Sequence, residues 1–123
     1  MGQFDNKVVM ITGAGGGIAR GIVKKFAEEG AKLILVDRHF DAVQATVSEL
    51  AVPDSKYLIT GGDLGKPEDA EAIVTEVEGK FGKIDVLAHA VGGWAGGSPV
   101  HETDISVFEK QIYLNTRIVY ITL

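Results

Sequence analysis

Apolar positions in this chain come in short runs that alternate with longer amphipathic stretches. Residues 7–13, Lys-Val-Val-Met-Ile-Thr-Gly, form a β-branched apolar run ending in glycine, which predicts a strand buried on both faces. In residues 18–29, Ile18, Ile22 and Phe26 recur at every fourth position. This spacing predicts a helix with those three on its inner stripe and Gly30 as its stop. The alternation then repeats. Residues 32–37 read as a second strand, and Phe40, Val43, Val47 and Leu50 as the inner face of a second helix closed by Pro53. Residues 56–60 predict a third, weaker strand. Pro67 opens a third helix carrying Ala70, Ile73, Val74, Val77 and Phe81, and residues 84–90 predict a fourth strand. From Asp104 onward Ile105, Phe108 and Ile112 keep helical spacing, while Leu114, Ile118 and Ile121 make a second apolar stripe. A helix covered on more than one side is expected there, although the β-branched tail, residues 118–123, also fits a strand.

Four strands alternating with three helices predict a parallel sheet with helices on both faces, an α/β doubly wound, three-layer arrangement in a single domain spanning residues 1–123. Eleven of the 16 glycines fall into three groups: Gly13, Gly15, Gly16 and Gly17; Gly61, Gly62 and Gly65; Gly92, Gly93, Gly96 and Gly97. Each group follows the end of a predicted strand. Open parallel sheets bind ligands outside those ends, and glycine there lets the backbone come close to a bound group. Glycine also simply turns corners, but three clusters on one edge favour a binding edge.

The first cluster fails the literal G-x-G-x-x-G fingerprint and fits T-G-x-x-x-G-x-A at Thr12, Gly13, Gly17 and Ala19. That pattern gives a tight turn after the strand and turns the amides of the next helix toward an anionic pyrophosphate, with a small residue for close packing. No Gly-Lys-Ser/Thr follows, which excludes a Walker loop. Asp37 ends the second strand 20 residues after Gly17, where a carboxylate can accept hydrogen bonds from both adenosine ribose hydroxyls. The same charge opposes a 2′-phosphate, so NAD is expected over NADP. Arg38 stands beside it as a guanidinium able to receive that phosphate.

Composition narrows the field further. The 123 residues are 46% apolar and 24% charged, which argues against disorder, and the net charge of -5 gives no basic field for nucleic acid. The absence of cysteine removes disulfides, thiolate zinc sites and a cysteine nucleophile, and a cytoplasmic location is expected. The longest purely apolar runs, such as Val8 to Ile11, are four residues, far short of the ~20 of a spanning helix. No membrane partner is expected. His39, His89 and His101 share no ligand spacing, so no metal is expected either.

Taken together, Thr12-Gly13-Ala14-Gly15-Gly16-Gly17-Ile18-Ala19, Asp37, Asp63-Leu64, His89-Ala90-Val91-Gly92 and Asn115 resemble the short-chain dehydrogenases/reductases over essentially the whole chain. The resemblance implies a Rossmann-like fold of which about four strands are present. It implies that Gly13, Gly15, Gly16, Gly17 and Ile18 wrap the pyrophosphate of NAD, that Asp37 holds the ribose, and that Asp63 and Leu64 border the adenine. His89, Ala90, Val91 and Gly92 would line the ribose between adenine and nicotinamide, and Asn115 would help hold an active-site water in a proton relay. The family commonly has Asn-Asn-Ala-Gly where this chain has His89-Ala90-Val91-Gly92, so hydrogen bonds across the sheet must be remade by His89 or lost.

The family's chemistry also needs a tyrosine with a lysine four residues on, and a serine upstream. Here the tyrosines are Tyr57, Tyr113 and Tyr120, and none has a lysine four positions later. The chain is therefore expected to be the N-terminal half of an oxidoreductase acting on an alcohol or carbonyl, inactive by itself. A non-catalytic dinucleotide-binding module and a self-associating structural fragment are the alternatives. An open fourth strand and uncovered Ile112, Leu114, Ile118, Ile121 and Leu123 would make such a piece marginally stable or self-associating through the last helix, as a homo-oligomer. Trp94 would sit in a substrate loop or anchor it.

Overall fold

A computed structural model describes residues 2–123. Strand β1, Val8–Thr12, is buried along its whole length. It pairs in parallel with β2, Lys32–Val36, on one side and β4, Val86–His89, on the other. Strand β3, Tyr57–Thr60, lies outside β2, giving the order β3-β2-β1-β4. The chain thus builds outward from β1 twice, and the reversal falls between β1 and β4.

Alternation along the strands sorts the core into two layers, because successive side chains point to opposite faces. Val9, Ile11, Leu33 and Leu35 pack with Ala19 and Val23 of helix α1, Gly17–Glu28, and with Val43 and Val47 of α2, Phe40–Glu49. Val8, Met10, Ile34 and Val36 pack on the other face with Ile73 and Val77 of α3, Pro67–Lys80. Ile118, first residue of α5, Ile118–Thr122, joins the second layer. Burial of each such side chain contributes roughly 1.5–3 kcal/mol, so β1 and β2 form the stiff platform from which the loops project. The edge strands β3 and β4 are only partly buried.

The inner stripe of α1 differs from the expected one. Ile18 is 84% exposed, while Ala19 and Val23 are buried and Ile22 and Phe26 are partly so. The helix starts at Gly17, so Ile18 stands in the first turn at the sheet's edge, and the close approach to the sheet requires the small Ala19. Phe26 instead turns its ring edge-on to Phe4, with centroids 5.0 Å apart. Phe40 in α2 and Val74 in α3 are likewise on the outside, at 52% and 42% exposure. Helix α2 ends at Glu49, before Pro53, with Ala51 in the left-handed region at φ 55°.

The C-terminal segment is helical to Thr122, which decides against the strand alternative. Helix α4, Ile105–Ile112, starts at Asp104, whose carboxylate accepts from the Ser106 amide at 2.9 Å. A π-helical turn over Tyr113–Arg117 joins α4 to α5. The wider turn rotates the helix surface, which is why the two apolar stripes do not share one phase. Ile118 is buried, and Leu114 and Ile121 are partly covered, so less of this segment is bare than the sequence suggests. Ile105, Phe108 and Ile112 have no such cover.

Candidate functional site

The glycine clusters do meet along the C-terminal ends of the strands. A cavity of about 590 Å³ opens there, bounded by Gly13, Gly15 and Gly16 after β1, Asp37, Arg38 and His39 after β2, Gly62, Asp63 and Leu64 after β3, and Ala90, Val91 and Gly92 after β4. Lys110, Tyr113, Leu114 and Ile118 close it from the last helical segment. Of the residues named from sequence, Gly17, Ile18, His89 and Asn115 do not line it.

Gly13 is required by the backbone. Its φ is +66°, and a Cβ there would stand 3.1 Å from the carbonyl of Ala90 and the amide of Val91. The loop turns so sharply that the Gly16 amide donates to the Gly13 carbonyl at 3.0 Å. Gly17 is different: a Cβ there would meet nothing within 4 Å. Helix α1 begins at this residue with no side-chain cap, so its first amides face outward from an open, positively polarised terminus.

Asp37 fixes that loop against β2. Its Oδ2 accepts from the Gly15 amide at 2.9 Å and its Oδ1 from the His39 amide at 2.7 Å. A Cβ on Gly15 would press within 3.1 Å of the carboxylate. Each oxygen keeps a lone pair for a further donor, and the carboxylate borders the cavity.

On the β4 side, Thr12 ties β1 to the start of the loop after β4. Its Oγ1 accepts from the Ala90 amide at 3.1 Å and pairs with His89 Nδ1 at 2.8 Å. The buried Nε2 of His89 has no partner among the described residues. Desolvation holds this imidazole below its ordinary pKa of 6.5. The unfolded chain then binds more protons than the folded one below that value, so stability decreases as pH falls through 6.5 and is fully present above it. Urea midpoints at pH 5.5 and 7.5 should differ more in the wild type than in His89→Asn, and an equal difference would contradict the assignment.

Asn115 is not at the cavity. Its Oδ1 accepts from the Gly93 amide at 3.1 Å and its Nδ2 donates to the Gly93 carbonyl at 2.7 Å. Gln111, one turn earlier, with its side-chain amide turned so that oxygen and nitrogen exchange places, donates to the Gly93 carbonyl and accepts from the Ala95 amide. The two side chains clamp the loop after β4. Trp94, in the same loop, is 83% exposed.

Sequence reasoning missed Lys110, Tyr113 and Leu114. Tyr113 donates its hydroxyl to Asp63 Oδ2, while Asp63 Oδ1 accepts from the Gly65 amide at 2.9 Å. The tyrosine bond, with the Gly65 amide, lowers the Asp63 pKa, and the same bond raises that of the phenol. Arg117 Nε donates to the Gly65 carbonyl at 2.9 Å, with its guanidinium 5.9 Å from the Tyr113 ring. These partners are 50 and 52 residues apart in the chain, and no local spacing announces them.

Among the described residues no helix is long and apolar enough to cross a membrane, and no group of three or more His, Cys, Asp or Glu side chains converges as a metal site would.

Residues 7–122 match the family model for short chain dehydrogenases. Levodione reductase of Leifsonia aquatica is 36% identical over 98% of this chain and 46% of its own length. The 1,6-dihydroxycyclohexa-2,4-diene-1-carboxylate dehydrogenase of Acinetobacter baylyi is 38% identical over 81% of this chain and 38% of its own. In structure, the 3-ketoacyl-(acyl-carrier-protein) reductase of Brucella melitensis, solved with NADH, superimposes with a TM-score of 0.84 at 33% identity, covering 96% of this chain and 47% of that one. The chain thus spans less than half the length of these proteins. A Rossmann-like parallel sheet, a glycine turn under an uncapped helix, and these similarities together place the chain in the short-chain dehydrogenase/reductase family.

Proposed function

We propose that residues 1–123 form one dinucleotide-binding unit of an oxidoreductase acting on an alcohol or carbonyl, with NAD preferred over NADP. The observation that carries this reading is the meeting, in one cavity, of the Gly13 to Gly16 turn and the Asp37 carboxylate at the point where the strand order reverses. Family members use NAD(P), and the relatives named above are a reductase and a dehydrogenase by their own descriptions.

The residues present fit such a ligand. The open space around Gly17 leaves the α1 amides approachable by a pyrophosphate. Asp37 keeps acceptor capacity for two ribose hydroxyls while anchoring the loop that presents those amides. Ala90, Val91 and Gly92 form the wall toward the nicotinamide end. Asn115 and Gln111 are positioning residues, fixing the Gly93 peptide and with it that wall. The bound dinucleotide would supply the hydride chemistry. Proton transfer needs a separate group of suitable pKa, and without a Tyr-x-x-x-Lys in these 123 residues the unit by itself binds cofactor and does not turn over substrate. The exposed stripe of Ile105, Phe108 and Ile112 supports self-association through the last helical segment.

Titration calorimetry with NAD and NADP tests the cofactor assignment. A 2′-phosphate held ~4 Å from the Asp37 carboxylate is opposed by up to about 4 kcal/mol per charge pair at an effective dielectric of 20, before relaxation and salt. NAD should bind at least about tenfold tighter than NADP. Asp37→Ala also frees the Gly15 amide, which affects both nucleotides alike, so the ratio isolates the carboxylate. NAD affinity should fall and the ratio should collapse toward unity. Equal wild-type affinities, or unchanged NAD affinity in the variant, would overturn the ribose assignment.

A further inference from the structure

We propose that a second, smaller cavity at the opposite end of the sheet binds a small aliphatic amino acid in its zwitterionic form. The proposal is independent of the dinucleotide reading, since the two cavities share no lining residue.

This cavity, of about 300 Å³, lies between the C-terminal half of α1, the end of α2 and the segment leading into β3. Ala31 precedes β2 and Lys56 precedes β3, so it opens at the N-terminal ends of the strands, whereas the glycine turns stand at their C-terminal ends. Its volume is at the lower limit of ligand pockets, which restricts the occupant to one small molecule. Ala27, Ala31, Leu50, Val52 and Pro53 give it an apolar lining suited to a branched aliphatic side chain. The charged residues that line it are Lys24, Glu28 and Lys56. Among the described residues none of these three is in an ion pair, although Lys24 and Glu28 stand one turn apart on α1. Two ammonium groups and one carboxylate around an apolar lining are the complement of a carboxylate, an ammonium and an aliphatic chain. A plain carboxylic acid would leave Glu28 opposing it, and a plain amine would meet two like charges.

The walls are held from outside. Arg20 of α1 pairs with Glu49 of α2, fixing the two helices against each other. Lys80 Nζ donates to the carbonyls of Asp54 and Tyr57 at 3.2 and 2.6 Å, and the Tyr57 hydroxyl donates to the Asp54 carboxylate at 3.0 Å, which pins the turn carrying Lys56. Ala51, also on the wall, has a φ of 55°, a left-handed conformation that glycine usually supplies just after a helix. Its amide donates to the Ser48 carbonyl and that of Val52 to the Val47 carbonyl. Glycine would make the same bonds without strain, so the methyl on the cavity wall is held against the preference of the backbone.

The test titrates the protein with leucine, with 4-methylpentanoate, which lacks the amine, and with 3-methylbutylamine, which lacks the carboxylate. Amide shifts of Ala51 and Val52 are followed by NMR. Leucine should give saturable shifts with a millimolar dissociation constant, and each analogue should bind about two- to fivefold more weakly, the scale of one exposed ion pair. Glu28→Gln should abolish the advantage of leucine over 4-methylpentanoate. Lys24→Gln combined with Lys56→Gln should abolish its advantage over 3-methylbutylamine. All three positions are exposed, so the fold should tolerate these changes. Ala51→Gly should raise Tm yet weaken leucine binding about twofold, a combination that a purely structural alanine would not give. Saturating NAD should leave the leucine shifts unchanged. Absence of saturable shifts, equal binding of the three ligands, unchanged ligand ratios in the Glu28 and lysine variants, undiminished leucine binding in Ala51→Gly, or displacement of leucine by NAD would each overturn the proposal.

Discussion

Gly13→Ala should cost the fold several kcal/mol, whereas Gly17→Ala should leave the fold intact and weaken dinucleotide binding. The two glycines stand four residues apart in one loop, yet their surroundings differ. At Gly13 a side chain would be held at φ +66° and pressed against the Ala90 and Val91 backbone at 3.1 Å. Left-handed strain of about 1–3 kcal/mol adds to an overpacking cost of similar size, because the obstruction is backbone of the loop leaving β4 and cannot rotate away. A loss of about 2–6 kcal/mol corresponds to a fall in Tm of roughly 6 °C or more for a chain of this size. At Gly17 the added methyl meets nothing within 4 Å, and alanine is the better helix former by about 1 kcal/mol. Its Tm should hold or rise. The methyl would nonetheless stand where a pyrophosphate must approach the first amides of α1, and NAD affinity should drop at least about tenfold. Scanning calorimetry and titration on both variants separate the effects. Undiminished NAD binding in Gly17→Ala would move the pyrophosphate away from the helix start.

The contrast also shows how far the sequence speaks. Each strand was legible because a short β-branched run has few other ways to bury itself, and the glycine clusters that follow the strands mark the edge along which the cavity opens. Periodicity was less reliable on where a helix meets the sheet. Ile18, Phe40 and Val74 fit apolar stripes but lie outside, because a helix resting on a sheet needs a small residue such as Ala19 at the closest point, and composition alone does not rank Ile18 below it. The chemistry of the cavity's far wall was not legible at all. Tyr113 and Asp63 meet only because β3 and the last helical segment converge on one edge, and the π-helical turn that aims the tyrosine leaves no signature in residue spacing. His89 shows the intermediate case: a departure from the family pattern was visible, but the partner that answers it, Thr12, became evident only from the pairing of β1 with β4.

Phe108→Asp should abolish the self-association proposed for the last helical segment. Ile105, Phe108 and Ile112 are 64%, 58% and 45% exposed, and their spacing of three and four places them on one stripe of α4. If two copies meet across that stripe, each variant interface loses two aromatic rings, one from each copy, at about 1.5–3 kcal/mol apiece, and must also desolvate two carboxylates facing the same apolar surface. The dissociation constant should rise by about two orders of magnitude or more. Val74→Asp is the matched control, since Val74 is 42% exposed as well but lies on α3. Sedimentation velocity across the micromolar range should show wild type and Val74→Asp associating and Phe108→Asp monomeric. Thermal midpoints should rise with concentration only in the first two, because association stabilises the folded state by mass action. A wild-type chain that stays monomeric throughout, or association untouched by Phe108→Asp, would show that the exposed stripe of α4 is not where the copies meet.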